Sequence, residues 1–174
     1  MANEWRIAGA AKDAQTITAR WTPAAMRLIE GVAIREVLHV PKSTGYLTEI
    51  FRREWPEAHG EVDQIFQVVL EPGAISAWHA HAATTDRLFA SYGLIRIVLY
   101  DARTDSSTHG TINEFRFGTI RPALVHVPPR VWHGVQNVSH GPAILINVVD
   151  RAYDYEDPDH WRVPVDSPEI PFAF

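Results

Sequence analysis

Short apolar runs, each ended by turn-forming residues, are the feature that most constrains how this 174-residue chain can fold. The runs are about four to nine residues long and rich in β-branched and aromatic side chains, which favours strands. Turn signals such as Glu71-Pro72-Gly73 and Tyr92-Gly93 separate them. Even spacing of this kind predicts an all-β sandwich or closed barrel. The predicted strands are Val32–Val40, Tyr46–Arg52, Gln64–Glu71, Ala74–His79, Arg87–Ser91, Leu94–Tyr100, Glu114–Ile120, Leu124–Val127, Gly134–Asn137 and Ala143–Val149.

Helix and tail predictions complete the outline. Pro23–Glu30 is predicted to form a helix of two turns, with Thr22 as its N-cap. Residues 156–174 contain four prolines, which oppose both helix and central strand. This tail is therefore predicted to lie extended across the barrel, fastened by Phe172 and Phe174.

The length of the chain predicts one domain, because most domains have roughly 100–150 residues. We expect residues 1–174 to form a single unit with a barrel core at about 29–150. The N-terminal segment 1–28 and the tail 156–174 are expected to pack on that core.

Composition excludes several functions. The formal net charge is -5, which argues against a nucleic-acid partner, and no basic cluster suggests a membrane partner. The chain has no cysteine, so disulfides, thiolate metal sites and cysteine nucleophiles are excluded. Residues 1–11 lack the apolar core of a signal peptide, and no apolar run approaches the roughly 20 residues of a membrane helix. The sequence therefore predicts a cytoplasmic protein.

Four residues have the pattern of a metal site. His79 and His81 are two apart, so on a strand both side chains point to one face. Asp86 begins the next strand, and His133 adds an imidazole from a distant strand. Three imidazoles and one carboxylate suit a divalent first-row ion such as Fe, Mn, Ni, Cu, Co or Zn. The predicted metal ligands are His79, His81, Asp86 and His133.

The spacing around these residues resembles the two motifs of the cupin superfamily. Gly73 precedes His79 by six positions and Gly93 follows Asp86 by seven; Pro128 and Asn137 flank His133. Asp86 replaces the usual glutamate, and Arg130 replaces a turn glycine of the second motif. The resemblance implies a cupin jelly-roll barrel, the double-stranded β-helix.

A second resemblance covers about residues 29–171. Stretches such as Gly45-Tyr46-Leu47-Thr48-Glu49-Ile50-Phe51 and Val127-Pro128-Pro129-Arg130-Val131-Trp132-His133-Gly134 are similar to the dTDP-4-dehydrorhamnose 3,5-epimerase family. That family implies a homodimer and a pocket for a nucleotide-linked 4-keto sugar. It also implies a histidine general base, at the position of His79.

Positions that match that family's active site depart from it. The family's tyrosine acid aligns with Ile146 and its pocket lysine with Asp86, while a glutamine becomes His81. Two pocket arginines align with Thr44 and near Ser76. A metal could replace the lost lysine and tyrosine by polarising the carbonyl as a Lewis acid. The candidate catalytic residues are His79 and His133.

Other residues are weaker candidates. Arg96, Tyr100, His126 and Trp132 are predicted substrate contacts. The alternatives are a solvated strand face for Arg96, core or rim packing for Tyr100 and a structural hydrogen bond for His126. For Trp132 the alternative is to shield the site or fill the core.

Two further expectations concern the tail and the remaining histidines. Asp166 or Glu169 could orient His79, as the family's tail carboxylate does. The histidines outside the motifs are predicted to lie on the surface, namely His39, His59, His109, His140 and His160.

Three functions remain open at the level of sequence. The first is an isomerase or epimerase of a small nucleotide-linked keto sugar, with proton transfer next to the keto group. The second is an Fe(II)-dependent oxygenase, because open positions on such a metal can bind O₂ and substrate. The third is a non-catalytic cupin that binds a small ligand.

Overall fold

A computed structural model describes residues 5–19, 23–24, 26–58 and 60–174. The described residues form short β-strands and one 3₁₀ helix, Pro56–Ala58. The strands are β1 (Ala33–Glu36), β2 (His39–Lys42), β3 (Gly45–Thr48), β4 (Gln64–Leu70), β5 (Ile75–Ala80), β6 (Asp86–Tyr92), β7 (Leu94–Tyr100), β8 (Ile112–Gly118), β9 (Ala123–Val127), β10 (Trp132–Asn137), β11 (Ala143–Val149) and β12 (Trp161–Arg162). Within the described part of the chain, no helix is long and apolar enough to cross a membrane.

Two five-stranded antiparallel sheets form the body of the fold. The first has the order β1-β9-β6-β11-β4, and the second has the order β12-β5-β10-β7-β8. Strands β2 and β3 form a separate hairpin. Apart from the β7–β8 hairpin, successive strands from β4 to β12 alternate between the two sheets, as is typical of a jelly roll. The predicted all-β barrel is confirmed.

The predicted strands agree with the structure to within two residues at their ends, with three local differences. The predicted strand Tyr46–Arg52 ends at Thr48. The run Val32–Val40 is divided into β1 and β2, because the backbone of Val37 bonds to Pro122 instead of continuing the ladder. The tail contains a short strand, β12, which pairs with β5. Its prolines leave room for only two paired residues.

The predicted helix at Pro23–Glu30 is wrong: none of its described residues is helical. Its backbone groups bond to side chains elsewhere, since Ile29 donates to Asn113 and Glu30 donates to Thr108. These tertiary bonds replace the ones a helix would make within itself. The proposed N-cap, Thr22, lies outside the described residues.

Apolar side chains fill two regions on opposite faces of the second sheet. Between the sheets lies the main core, which includes Ile97, Leu99 and Phe117. On the outer face, Trp78 and Val98 pack against the tail through Ile170, with Phe172 and Phe174 beside them. The tail is therefore fastened by its aromatic end, as expected.

Strand β5 carries a β-bulge that decides which of its side chains face inward. Its register against β10 shifts, with His79 opposite His133 but Ser76 opposite Val135. Ala77 and Trp78 both pack outward, so Ser76 and His79 both face the space between the sheets. A bulge re-aims side chains in this way.

Gly134 on β10 lies against this bulge and leaves no space for a side chain. A Cβ at position 134 would lie 2.4 Å from the Ala77 Cβ and 2.8 Å from a ring carbon of Phe174. We therefore expect Gly134→Ala to destabilise the protein by about 1–3 kcal/mol through overpacking, as measured by urea denaturation. Gly141→Ala is the control, because nothing lies within 4 Å of its Cβ. Equal stability of the two variants would contradict close packing at Gly134.

Candidate metal centre

A cavity of about 610 Å³ opens between the two sheets and holds the predicted metal ligands. Strands β4, β6 and β11 line one side, and β5 and β10 line the other. Residues from the segment 151–162, which includes the start of the tail, complete the wall. The base of the cavity is apolar, with Leu88, Val135 and Leu145.

His79, His81, Asp86 and His133 come together in this cavity. One ligand atom from each lies within 4.8 Å of those of the other three. The bulge in β5 aims His79 inward, and Asp86 starts β6 after a five-residue connection. His133 faces His79 across the β5–β10 pair, with ring centroids 4.0 Å apart. The sequence had assigned all four to one site.

Asp86 is the centre of this cluster. Its side chain is almost fully buried, and its Oδ2 lies 3.1 Å from His81 Nε2 and 2.9 Å from His133 Nε2. The shorter reach of aspartate, compared with the usual glutamate, is therefore sufficient. The Asp86 Oδ1 accepts a hydrogen bond of 2.6 Å from Asn147 Nδ2. Asn147 in turn accepts from the Arg87 backbone N–H, which fixes its amide and hence the carboxylate.

Backbone carbonyls set the tautomers of two of the histidines. His133 Nδ1 lies 3.0 Å from Val131 O, and His81 Nδ1 is hydrogen-bonded to Asp159 O. A carbonyl oxygen only accepts, so both Nδ1 atoms must carry the proton. In the neutral rings, each Nε2 is then a lone-pair acceptor, and both face Asp86 Oδ2. Three electron-pair acceptors therefore converge on one point.

Such a convergence requires a positive charge between the acceptors. A divalent cation would provide it, and backbone carbonyls that hold the outer N–H of the imidazoles are typical of metal-ligating histidines. Without a cation, a proton on one imidazole would serve instead. Asp86 indeed raises the pKa of His81, although burial opposes this.

Burial and the neighbouring imidazoles shift the other titrating groups. Burial alone would raise the pKa of Asp86, but His133 and His81 lower it well below the usual range. Burial, with the nearby His133, lowers the pKa of His79 and keeps its imidazole neutral. Among the described residues, the buried Nδ1 of His79 has no hydrogen-bond partner. Asp86 is thus ionised and His79 neutral, the states that metal ligation requires.

His160 is the site residue that the sequence analysis missed. It was predicted to lie on the surface, yet it lines the cavity, with its ring centroid 5.0 Å from that of His79 and 4.9 Å from that of His81. Burial, with Arg162 beside it, lowers the pKa of His160 to about 4. The pairing of β12 with β5 brings His160 to the cavity, and no local sequence pattern predicts that pairing.

The four predicted substrate contacts do not line this cavity. Arg96, Tyr100 and Trp132 lie on the outer face of the second sheet, where Arg96 bonds to Glu114 at 2.9 Å and the two aromatics join the outer apolar cluster. His126 is buried and pairs in register with Arg87, on the outer face of the first sheet. Strand alternation explains these positions, since all four are out of phase with the inward residues.

Three residues that the resemblance associated with the family's active site, Ile146, Asp166 and Glu169, lie away from the cavity. Ile146 does not line the cavity, because it alternates with Leu145 and Asn147, the β11 residues that do. Asp166 and Glu169 are exposed and do not line the cavity. The tail contributes Asp159, His160 and Arg162 to the cavity instead.

The remaining surface histidines can be placed with one exception. His109 and His140 are exposed, whereas His39 is partly buried and hydrogen-bonds Thr48 and Thr119 O. His59 lies outside the described residues.

Comparison with known proteins gives a consistent relationship. No protein-family model matches the chain. The probable low-salt glycan biosynthesis epimerase Agl13 of Haloferax volcanii is 33% identical over 139 residues, which cover 79% of this chain and 89% of that protein. The crystal structure of a dTDP sugar isomerase from Desulfovibrio desulfuricans G20 has 28% identity and a TM-score of 0.79, covering 86% of this chain and 94% of its own.

A third comparison concerns the fold alone. The structure of dTDP-4-dehydrorhamnose 3,5-epimerase from Bacillus anthracis is 20% identical, with a TM-score of 0.72, and covers 81% of this chain and 83% of that one.

The fold and the interior histidine cluster define a cupin of the sugar-epimerase type. The chain belongs to the family of dTDP-sugar isomerases and epimerases, as the identity and coverage of its relatives show. The predicted cupin fold and family are therefore confirmed. These relatives favour the isomerase hypothesis over the oxygenase and the non-catalytic binder.

Proposed function

We propose that this protein is an isomerase or epimerase that moves a proton next to the keto group of a nucleotide-linked sugar. The observation that carries the proposal is an epimerase-type barrel whose cavity gathers three histidines and one aspartate. We further propose that these four residues hold a divalent first-row metal.

The cluster fits a metal on chemical grounds. Asp86 Oδ2 faces two imidazole nitrogens whose protons are committed to the opposite side of each ring. Imidazole and carboxylate ligands suit Fe, Mn, Ni, Co and Zn alike. When bound, such an ion supplies a Lewis acid that polarises a keto oxygen, which a pocket lysine and tyrosine would otherwise do.

Removing one ligand tests the metal. We expect the purified protein, loaded with Zn(II) or Co(II) and dialysed, to hold about one ion per chain by elemental analysis. His81→Ala should lose most of it, because the ligand and its fixed tautomer disappear together. His140→Ala is the matched control, since this histidine is exposed in a loop. The metal proposal is wrong if His81→Ala retains its metal, or if the loaded wild type holds no metal.

If His79 is a metal ligand, another residue must accept the proton next to the keto group. A histidine that shares its lone pair with a metal cannot take up a proton at that nitrogen, so His79 cannot do both. His160 lies in the same cavity outside the cluster, and its lowered pKa keeps it neutral at pH 7. We propose that His160 accepts the proton next to the keto group when His79 is a ligand. His133 then serves the reaction as a metal ligand.

Proton exchange separates these roles. In D₂O, without O₂, we expect the wild type to introduce deuterium next to the keto group of a nucleotide-linked 4-keto sugar, detected by mass spectrometry. Loss of a general base typically costs about 10²–10⁴-fold, so His160→Gln should exchange at least about 100-fold more slowly while keeping its metal. His79→Gln should lose both metal and exchange. Wild-type exchange by His160→Gln would move the acceptor elsewhere, and O₂-dependent turnover would favour an oxygenase.

Arg151 and Arg162 are the cations that the described residues bring to the rim of the cavity. Neither arginine forms a salt bridge within the described part of the chain. The family's two pocket arginines align with Thr44 and near Ser76, so a diphosphate needs other cations here. We propose that Arg151 and Arg162 contact the diphosphate of the nucleotide.

Nucleotide binding tests the two arginines. We expect Arg162→Ala to weaken binding of dTDP by roughly 10-fold, because a hydrogen bond to a charged group contributes about 1.5–3 kcal/mol. Isothermal titration calorimetry measures this change. Arg116→Ala is the control, as this exposed arginine pairs with Glu114 on β8, away from the cavity. Equal losses in both variants would indicate general charge attraction rather than a diphosphate site.

The homodimer and the cytoplasmic location remain predictions. The homodimer is supported by exposed apolar side chains on the edge strand β4, Ile65 and Val69, and on the β2–β3 hairpin, Tyr46 and Leu47. Sedimentation equilibrium of the full chain measures the oligomeric state. Location in the cytoplasm likewise stays a prediction.

A further inference from the structure

Asp159 connects the tail to the segment between two of the cluster residues. Its carboxylate accepts hydrogen bonds from the backbone N–H of Ala82 at 2.6 Å, Ala83 at 2.9 Å and Thr84 at 3.0 Å. It also accepts one from the Thr84 hydroxyl at 3.0 Å. Burial alone would raise the pKa of Asp159, but these bonds together lower it to about 2. The carboxylate is therefore a charged acceptor for four donors of one loop.

The backbone of the same residue sets the tautomer of a cluster histidine. The carbonyl oxygen of Asp159 accepts the Nδ1–H of His81, which leaves His81 Nε2 facing Asp86. His81 and Asp86 stand at the two ends of the loop that the Asp159 carboxylate binds. One tail residue thus holds both the ring of His81 and the backbone that spaces it from Asp86.

The tail is itself anchored at this point. Trp161 and Arg162 of β12 pair with Ala80 and His79 of β5, immediately beyond Asp159. The aromatic end of the tail then packs on the outer face of the second sheet. Contacts of the tail outside the cavity therefore help to fix the position of Asp159.

We propose that Asp159 is a positioning residue of the metal centre, which sets the tautomer of His81 and the spacing between His81 and Asp86. This inference rests on the proposed metal and not on the sugar substrate. It extends the site to a residue 78 positions after His81 that touches no ligand atom of the cluster. Partners of metal-binding imidazoles commonly act in this way, and their loss weakens metal affinity by 10–100-fold.

The test measures Co(II) affinity and the Co(II) absorption spectrum of the full-length protein, by titration against a chelating dye. We expect Asp159→Ala to bind Co(II) about 10–100-fold more weakly and to show shifted absorption bands. The backbone carbonyl that holds the His81 ring remains in this variant, but it is no longer tied to the 82–84 loop by the carboxylate. Asp159→Asn should fall between Asp159→Ala and the wild type, since its amide oxygen still accepts loop hydrogen bonds.

The matched control is Asp154→Ala. Asp154 also lines the cavity and accepts hydrogen bonds from the backbone N–H groups of Glu156 and Asp157, but among the described residues it makes no hydrogen bond to the 82–84 loop. We expect its Co(II) affinity and spectrum to match the wild type. A loss equal to that of Asp159→Ala would overturn the specific role of Asp159.

The remaining outcomes are separable. Wild-type affinity and spectrum in Asp159→Ala overturn the positioning role and leave the metal proposal standing. If the wild type binds no Co(II), the metal proposal fails and this inference fails with it, while the exchange assay still tests the isomerase. Should Asp159→Ala not fold, Asp159→Asn decides, because unchanged affinity and an unchanged spectrum in that variant overturn the role.

Discussion

The meeting of Asp86 Oδ2 with two imidazole nitrogens is the constraint on which the rest of the site depends. The carboxylate is almost fully buried, and an unpaired charge in that position costs several kcal/mol. Its second oxygen is occupied by Asn147, and the outer nitrogens of His81 and His133 are occupied by carbonyls. Only a cation or a proton between Asp86 Oδ2 and the two imidazole Nε2 atoms can satisfy these three acceptors. A function for this protein must account for that charge.

Three parts of the fold cooperate to make the cluster. The bulge in β5 turns His79 inward, and the absence of a side chain at Gly134 makes room for the bulge. Strand β6 brings Asp86 from the opposite sheet, with Asn147 beside it on β11. The tail closes the wall with Asp159, His160 and Arg162. The barrel thus keeps the epimerase fold while its cavity gathers His79, His81, Asp86 and His133.

The wrong predictions concern features that strand phase and long-range contacts decide, which a local sequence pattern does not show. His126 and Trp132 were predicted to contact the substrate, but strand alternation turns both away from the cavity. His160 was dismissed because its surroundings resemble a loop, although a two-residue pairing with β5 places the segment at the site. The helix at Pro23–Glu30 had good local signals, and side chains of distant residues outcompeted it for the backbone.

The sequence by itself determined the strands, the barrel class and the four residues of the cluster, because alternation, turn residues and motif spacing are local properties of the chain. Only the tertiary structure decided which nitrogen of each histidine faces Asp86, which strand faces turn inward, and which tail residues reach the cavity. Those features depend on contacts between segments far apart in the chain, such as the one between His81 and Asp159. No local pattern encodes a partner 78 residues away.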